Sequence, residues 1–380
     1  MDFPTSRNFA LKKLDNFIEN NLLEYAKLRN FDFGTNDRKN ISGLSPYVTH
    51  GVVNEAELIK KVLKKHLFSK SEKFIQEVLW RVYWKGWLEL RPDVWNDYLV
   101  NLKKLREKYY SDKVYLNAVE GNTNIRCFND WVKELKKTNY LHNHTRMWFA
   151  SIWIFTLNLP WELGAEFFLK HLYDGDSASN TLSWRWVAGI QTPGKYYLAS
   201  EWNIKKFTNN RYEKILLNEN PRTNVINKIY TETKNNFLNP ELIKNKVLFI
   251  FDNNLSFDFS DFKDHKFKKI FIINSSENRN IILSQNVVKF KHLLIQDQLK
   301  RLNNLSIDSE IIKIEDLKKF NDNAYAFYPS IGENFDFIKS NNLKNIQFLY
   351  RKIDQLSWQY CNKGFFNFKN YIPKIISSFN

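Results

Sequence analysis

Six polar residues within Tyr140–Gly189 carry the densest chemical signal in the sequence: His142, Asn143, Arg146, Asp174, Asp176 and Asn180. They stand among strongly apolar segments. Buried polar groups must be paired, so this set has to satisfy itself or hold a polar ligand. Arg146 with Asp174 is the obvious ion pair, and a polar ligand would take up the rest. A second set lies upstream. Glu77, Trp80, Arg81 and Trp84 are spaced i, i+3, i+4 and i+7, which puts them on one face of a helix. A core face does not tolerate Glu and Arg unless they are paired or bind something. On spacing alone the stripe reads as a structural aromatic face with a surface salt bridge. A third feature is the run Ile41-Ser42-Gly43-Leu44-Ser45-Pro46-Tyr47, in which Ser45 before Pro46 is a helix-start signal. Such a start offers free N–H groups and the positive end of a dipole, which suits phosphate. By itself it is an ordinary capped helix.

The surrounding pattern supplies the elements that must hold these residues. Met147–Trp161 is uncharged and mostly apolar. It is too short to span a bilayer and reads as a helix buried in protein. Pro160 fits the first position of the next helix. Asp174-Gly175-Asp176 makes an acidic turn before a small-residue start, Ser177–Asn180, and a Trp-rich helix. Residues 7–28 read as an amphipathic helix with Leu11, Leu14, Phe17, Ile18 and Leu22 on one face. Asn54 caps a basic helix over 55–66. Ser71 caps another over 72–90, which stops before Pro92. Phe128–Lys137 is a short helix leading into the central stretch.

Near Pro240 the character changes. Val247–Phe251, Ile270–Ile273, Ile311–Ile314, Tyr325–Tyr328 and Ile346–Tyr350 read as short buried strands. They alternate with helical patterns at 286–303 and 333–341, which implies a small α/β domain with a parallel sheet. The expected organisation is a helical domain over 1–210, a linker over 211–240 and an α/β domain of open role over 241–380. Neither a G-x-G-x-x-G nor a Walker motif is present.

The chain has 380 residues, enough for two domains, and 12 Trp among 16% aromatics. Large aromatics bury much area and also stack on flat ligands or bases. The net charge is +16. It fits solubility in a Lys- and Asn-rich chain; the sharper reading is a polyanionic partner such as nucleic acid. Two cysteines, Cys127 and Cys361, make neither a disulfide framework nor a metal cluster. The N-terminus lacks a secretory apolar region and nothing resembles a transmembrane span, so a cytoplasmic, membrane-free and metal-free monomer is expected.

The ordered constellation H-N-x-x-R-M from His142, Trp161 eighteen positions after Asn143, D-G-D-x-x-x-N from Asp174, and W-x-W at Trp184 and Trp186 resembles the flavin-binding domain of the DNA photolyase/cryptochrome family. The resemblance covers residues 1–210 in motif and the remainder only in architecture. It implies an all-α FAD-binding domain of photolyase type, here followed by the small α/β, Rossmann-like domain. Family photolyases usually carry an α/β domain before the flavin domain, where it often binds a second chromophore; whether the present one does is left open. The two cysteines exclude the branch with a four-cysteine iron–sulfur centre.

Residue by residue, the resemblance assigns FAD contacts to Tyr25, Ser42, Gly43, Leu44, Ser45, Arg81, Arg146, Asp174, Asp176 and Asn180. Gly43 stands where the family usually has Arg. Asn180 matches the residue facing flavin N5, where photolyases usually have Asn. Glu77, Trp80, Asn143, Met147 and Trp186 match the pocket for a cyclobutane pyrimidine dimer. Trp184 and Trp161 match the inner members of an electron-transfer chain, and Tyr109 or Tyr110 falls where the outer member aligns. Arg29, Trp80, Trp84, Asn143 and His144 match DNA-contacting positions. The two histidines of enzymes for the (6-4) lesion are replaced here by Asn143 and Met147. The implied function is blue-light-driven repair of cyclobutane pyrimidine dimers in UV-damaged DNA by electron transfer from reduced FAD. The alternative is a cryptochrome-like flavin photoreceptor.

Overall fold

The computed structural model describes residues 2–221, 228–277 and 279–378, so part of the expected linker, 222–227, lies outside the described residues. Twelve helices come first: α1 (Arg7–Asn20), α2 (Leu22–Leu28), α3 (Ser45–Thr49), α4 (Glu55–Lys65), α5 (Phe68–Glu89), α6 (Asp93–Tyr109), α7 (Lys113–Glu120), α8 (Arg126–Thr138), α9 (Asn143–Ser151), α10 (Trp161–His171), α11 (Ser177–Val187) and α12 (Glu201–Phe207). No strand occurs among the described residues before Val247. Local chemistry explains several boundaries. Ser6 caps α1 by accepting from Phe9 N, and Asn54 caps α4 by accepting from Glu57 N at 2.8 Å. Helix α4 also carries Glu55 and Glu57 in its first turn and Lys64 and Lys65 in its last, each complementing the dipole.

Five sequence expectations are corrected. The single helix over 7–28 is broken at Asn21, whose φ of −130° is not helical. Ser71 does not cap α5. The helix starts a turn earlier, after extended Leu67, and the Ser71 hydroxyl donates back to Leu67 O at 3.1 Å. Ser45 is the first residue inside α3, not its cap, because Asp174 takes its hydroxyl. The apolar run 147–161 is not one helix: α9 passes into a π-helical turn, Ile152–Thr156, and Asn158 with φ 53° ends it. Pro160 then caps α10 from outside, with extended ψ.

The α/β part holds β1 (Val247–Phe251), β2 (Lys269–Asn274), β3 (Ser309–Lys313), β4 (Ala324–Phe327) and β5 (Ile346–Leu349), with α13 (Gln285–Asn304), α14 (Glu333–Ser340), α15 (Lys352–Trp358), α16 (Phe365–Lys369) and α17 (Ile372–Ser377). All strand pairs are parallel, in the order β3-β2-β1-β4-β5. That is the order of a doubly wound sheet without its sixth strand. Two crossovers, α13 and α14, are α-helices; the β1–β2 and β3–β4 connections carry only 3₁₀ turns. Strand alternation divides the sheet's contacts. Phe249, Phe251, Phe271 and Ile273 pack with Phe337 and Ile338 of α14. Leu248, Ile250, Ile270 and Ile272 join Phe290 and Leu294 of α13 in a core that also contains Leu14, Tyr47, Val52 and Ile59 of the helical part. Parallel sheets need both faces covered; here the helical part contributes to one cover.

A polar seam crosses the same junction. His50 lies between Asp252 O (2.8 Å from Nδ1) and Tyr173 O (2.9 Å from Nε2). Glu89 accepts from Tyr328 Oη at 2.6 Å and Ile331 N at 2.8 Å. Arg351 bonds Glu55 at 2.7 Å and Asp354 through two nitrogens.

Three buried aspartates set the acid response. Burial pushes Asp252 up, but Lys291 at 2.7 Å and Arg279 outweigh it and hold the carboxyl well below the usual range. Asp32 is likewise raised by burial and lowered further by Arg38 and Arg211. Asp174 is treated below. A folded-state pKa below the unfolded value stabilises above the unfolded value, and that contribution is lost as pH falls through the folded one. Urea midpoints are therefore expected to drop steadily below about pH 4. A flat profile from neutrality down to about pH 3 would contradict these ion pairs.

Candidate flavin and nucleotide site

Asp174 is the hub of the site. It is 4% exposed and sits in the turn before α11. Its Oδ2 accepts from Arg146 Nη2 at 2.8 Å and from Ser45 Oγ at 2.5 Å, which ties α9, α3 and the turn together. Burial raises the carboxyl, but Arg146, Ser45 and Arg81 outweigh it and hold it below the usual range. The expected Arg146–Asp174 pair is thus present. Asp176 caps α11 by accepting from Ser179 N and also pairs with Arg81 of α5. His142 caps α9 by accepting from His144 N, and burial pushes it down to about 3. Asn180 is buried and donates to Ala165 O at 2.8 Å.

Tyr25, half-buried against Phe17 and Phe74, feels both Glu77 and Arg29. Glu77 and Arg29 themselves form an ion pair at 2.6 Å. Burial raises the Glu77 carboxyl against the pull of Arg29 and Lys73. Trp80, one turn on, stacks on Phe365 of α16 with centroids 3.6 Å apart and an 11° tilt, and also meets Trp84 at 5.1 Å. One face of that indole is therefore taken by the C-terminal segment. Asn143 is exposed, Met147 is half-buried, and Trp186 stacks on Tyr197.

His144 departs from its expected role. It is buried, stacks on Trp148 at 4.3 Å, and spends Nδ1 on Asn30 O at 2.9 Å. The structure turns its ring inward. Tyr109 lies under the ammonium of Lys108, while Tyr110 makes the ring contacts. Trp184 is buried and Trp161 half-buried. Phe365 was not legible as a site residue, because nothing in sequence spacing links it to Trp80, 285 positions away.

The residues present fit a flavin dinucleotide. Asp174 Oδ1 and Ser179 Oγ are buried with no protein partner, beside the guanidinium groups of Arg146 and Arg81. A ring that both donates and accepts would satisfy them. Next to the 41–47 run lies a cleft of about 400 Å³ walled by Lys13, Asn16, Arg38, Lys39 and Ser42, among others. Its basic wall suits a diphosphate, and burial lowers the Lys13 pKa. Gly43 has φ 59°, a left-handed conformation that glycine adopts freely.

Residues 74–210 match the family model for the FAD binding domain of DNA photolyase. Over this stretch the chain is similar to the photolyase/cryptochrome family. A deoxyribodipyrimidine photo-lyase of Buchnera aphidicola subsp. Baizongia pistaciae is 29% identical over 200 residues, which are 51% of this chain and 41% of that one. The Streptomyces griseus deoxyribodipyrimidine photo-lyase is 35% identical over 153 residues, 40% and 32% of the two chains. A solved bacterial class III photolyase from Agrobacterium tumefaciens aligns at 26% identity and TM-score 0.45, covering 54% of this chain and 43% of its own. The chain thus spans less than half the length of these curated relatives. The cofactor of the photolyase-type domain is FAD. No helix among the described residues is long and apolar enough to cross a membrane.

Proposed function

We propose that this protein repairs cyclobutane pyrimidine dimers in DNA under blue light. The observation that carries the reading is the conjunction of the Asp174 hub with the Glu77–Trp80 face on the adjoining helix. FAD bound there in reduced form supplies, on absorbing blue light, the electron that splits the cyclobutane ring. The chain's own residues do the rest. Arg146, Arg81, Asp174, Asp176 and Ser45 hold and orient the cofactor. Tyr25, Ser42, Gly43, Leu44 and Asn180 complete its walls. Trp80, Met147 and Trp186 form an apolar slot for the extruded bases, and Asn143 reads their polar edges. Damaged bases unpair more cheaply than intact ones, which favours their extrusion. When the entering dimer displaces Arg29 from the Glu77 carboxyl, that group takes up a proton and donates a hydrogen bond to the dimer carbonyl as negative charge builds there. Arg29, Trp84 and the net charge of +16 serve the phosphate backbone, so binding should weaken steeply with salt. The helical part (1–210) is the catalytic domain, and the Rossmann-like α/β part (241–380) is a structural cover.

Glu77→Ala is expected to lower light-driven repair by about a hundredfold or more, the usual cost of deleting a donor aimed at developing charge. Glu77→Gln, which still donates, should retain more. Single-turnover repair of a dimer-bearing oligonucleotide reads both, and unchanged repair in the alanine variant would remove Glu77 from the mechanism. A flavin photoreceptor is the second reading, favoured by one observation: Phe365 stacks on Trp80, where a base would compete. It predicts flavin photochemistry without dimer loss.

A further inference from the structure

The C-terminal segment lies beyond the stretch similar to the photolyase domain, yet it reaches the Glu77–Trp80 face. It is pinned there at several points. Tyr83 of α5 donates its hydroxyl to Lys363 O at 2.8 Å, and Arg91 donates to Asn362 O at 2.9 Å. Phe368 is fully buried and packs on Tyr83, while Phe365 lies flat on Trp80. Tyr360 stacks on Tyr371 at 4.0 Å with a 9° tilt, which closes the segment on itself. Between these anchors, on α16, Phe366 is 85% exposed. Its Cα is about 3.8 Å from that of Phe365, and successive helical side chains diverge by about 100°. The phenyl therefore stands beside the Trp80 stack, not behind it. Single exposed apolar side chains are common on surfaces. This one is held on a fixed backbone at the rim of a proposed pocket, as a flat face open to solvent.

Charge follows the same rim. After Asp354 the sequence has no Asp or Glu and three lysines, Lys363, Lys369 and Lys374. Lys363 and Lys374 are exposed. Lys369 meets Glu72 of α5 at 3.2 Å in a pair open to solvent on both sides. Across the face, Lys73 pulls on the Glu77 carboxyl and Arg29 closes on it. Glu72 and Glu77 are thus each faced by a cation, and the rim is left positive.

We propose that the C-terminal segment is a second nucleic-acid contact, in which Phe366 stacks on a base left unpaired when the lesion leaves the helix, while Lys363 and Lys369 meet the flanking phosphates. The proposal rests on the repair reading above and takes the α/β part beyond its role as a cover. Extruding two pyrimidines orphans the two bases opposite them. Every base has a flat face, so a phenyl receives either one without regard to sequence. The lysines fix register on the backbone and carry no sequence information.

Equilibrium binding in darkness, read by fluorescence anisotropy of labelled DNA, tests this apart from any photochemistry. Three probes are used: a duplex with one cyclobutane thymine dimer, the same duplex undamaged, and a lesion-free duplex with two adenines opposite abasic sites. Phe366 is at the surface, so Phe366→Ala should fold as the wild type does. It should bind the dimer duplex and the unpaired adenines about tenfold more weakly, and the undamaged duplex about as well as before. Phe366→Trp should retain the contact. Lys363→Gln with Lys369→Gln should flatten the slope of log affinity against log salt by about 2 on all three probes. Equal binding of Phe366→Ala and wild type to the unpaired adenines overturns the proposal, and so does an unchanged salt slope in the double lysine variant. Wild-type protein that holds the unpaired adenines through Phe366 but shows no preference for the dimer duplex would sink the repair reading and support the stacking contact. Wild-type protein that binds none of the three overturns both.

Discussion

Asp174→Ala is expected to yield colourless protein, destabilised by about 3–5 kcal/mol. The carboxylate is 1% exposed at its side chain and faces the Arg146 guanidinium. Removing it leaves that cation and the Ser45 hydroxyl without their shared acceptor. Truncating one member of a buried pair costs more than the pair contributed, because the survivor stays desolvated. The cofactor should suffer more than the fold. Asp174 connects the turn before α11 with α3 and α9, and its free Oδ1 is one of the unpartnered atoms awaiting a ligand. Asp174→Asn keeps the shape and one acceptor, so it should fold better while still losing most of the flavin. Chemical denaturation and the flavin-to-protein absorbance ratio of purified samples check both. A yellow, wild-type-stable alanine variant would contradict the role of Asp174 as hub.

Arg351→Met should be the most damaging single change away from the site, at about 3–5 kcal/mol. Arg351 opens the segment after β5 and reaches across the junction to Glu55, whose side chain is 0% exposed. It also holds Asp354. Burial raises Glu55, but Arg351, Lys85 and Arg81 outweigh that and keep it ionised. Without Arg351, two buried carboxylates lose their main cation. The double variant Arg351→Met with Glu55→Leu should recover part of the loss, since an apolar pair of similar volume avoids the desolvation penalty. Loss confined to residues 241–380, read by hydrogen exchange, would show the α/β part detaching alone. Loss across both parts is the expected result, because the sheet and the helices share one apolar core.

The sheet was legible because parallel strands buried on both faces appear as short continuous apolar runs, and β1 begins and ends at the expected residues. The Arg146–Asp174 pair was legible because a charge placed among apolar helices demands a partner. Pairings across the chain were not. Arg351 and Glu55 are 296 positions apart, and no periodicity links them. Ser45 looked like a cap because a Ser-Pro step resembles one; the Asp174 carboxylate, far along the chain, claims the hydroxyl. The break at Asn158 escaped notice because an apolar run conceals a π turn.

The most direct test of the central claim is light-dependent repair. Purified protein with its flavin reduced is mixed with an oligonucleotide bearing one cyclobutane thymine dimer, and dimer loss is followed in blue light and in darkness. The account predicts loss in light alone. No loss in light, with FAD bound and the oligonucleotide bound, would contradict it and leave the photoreceptor reading in its place.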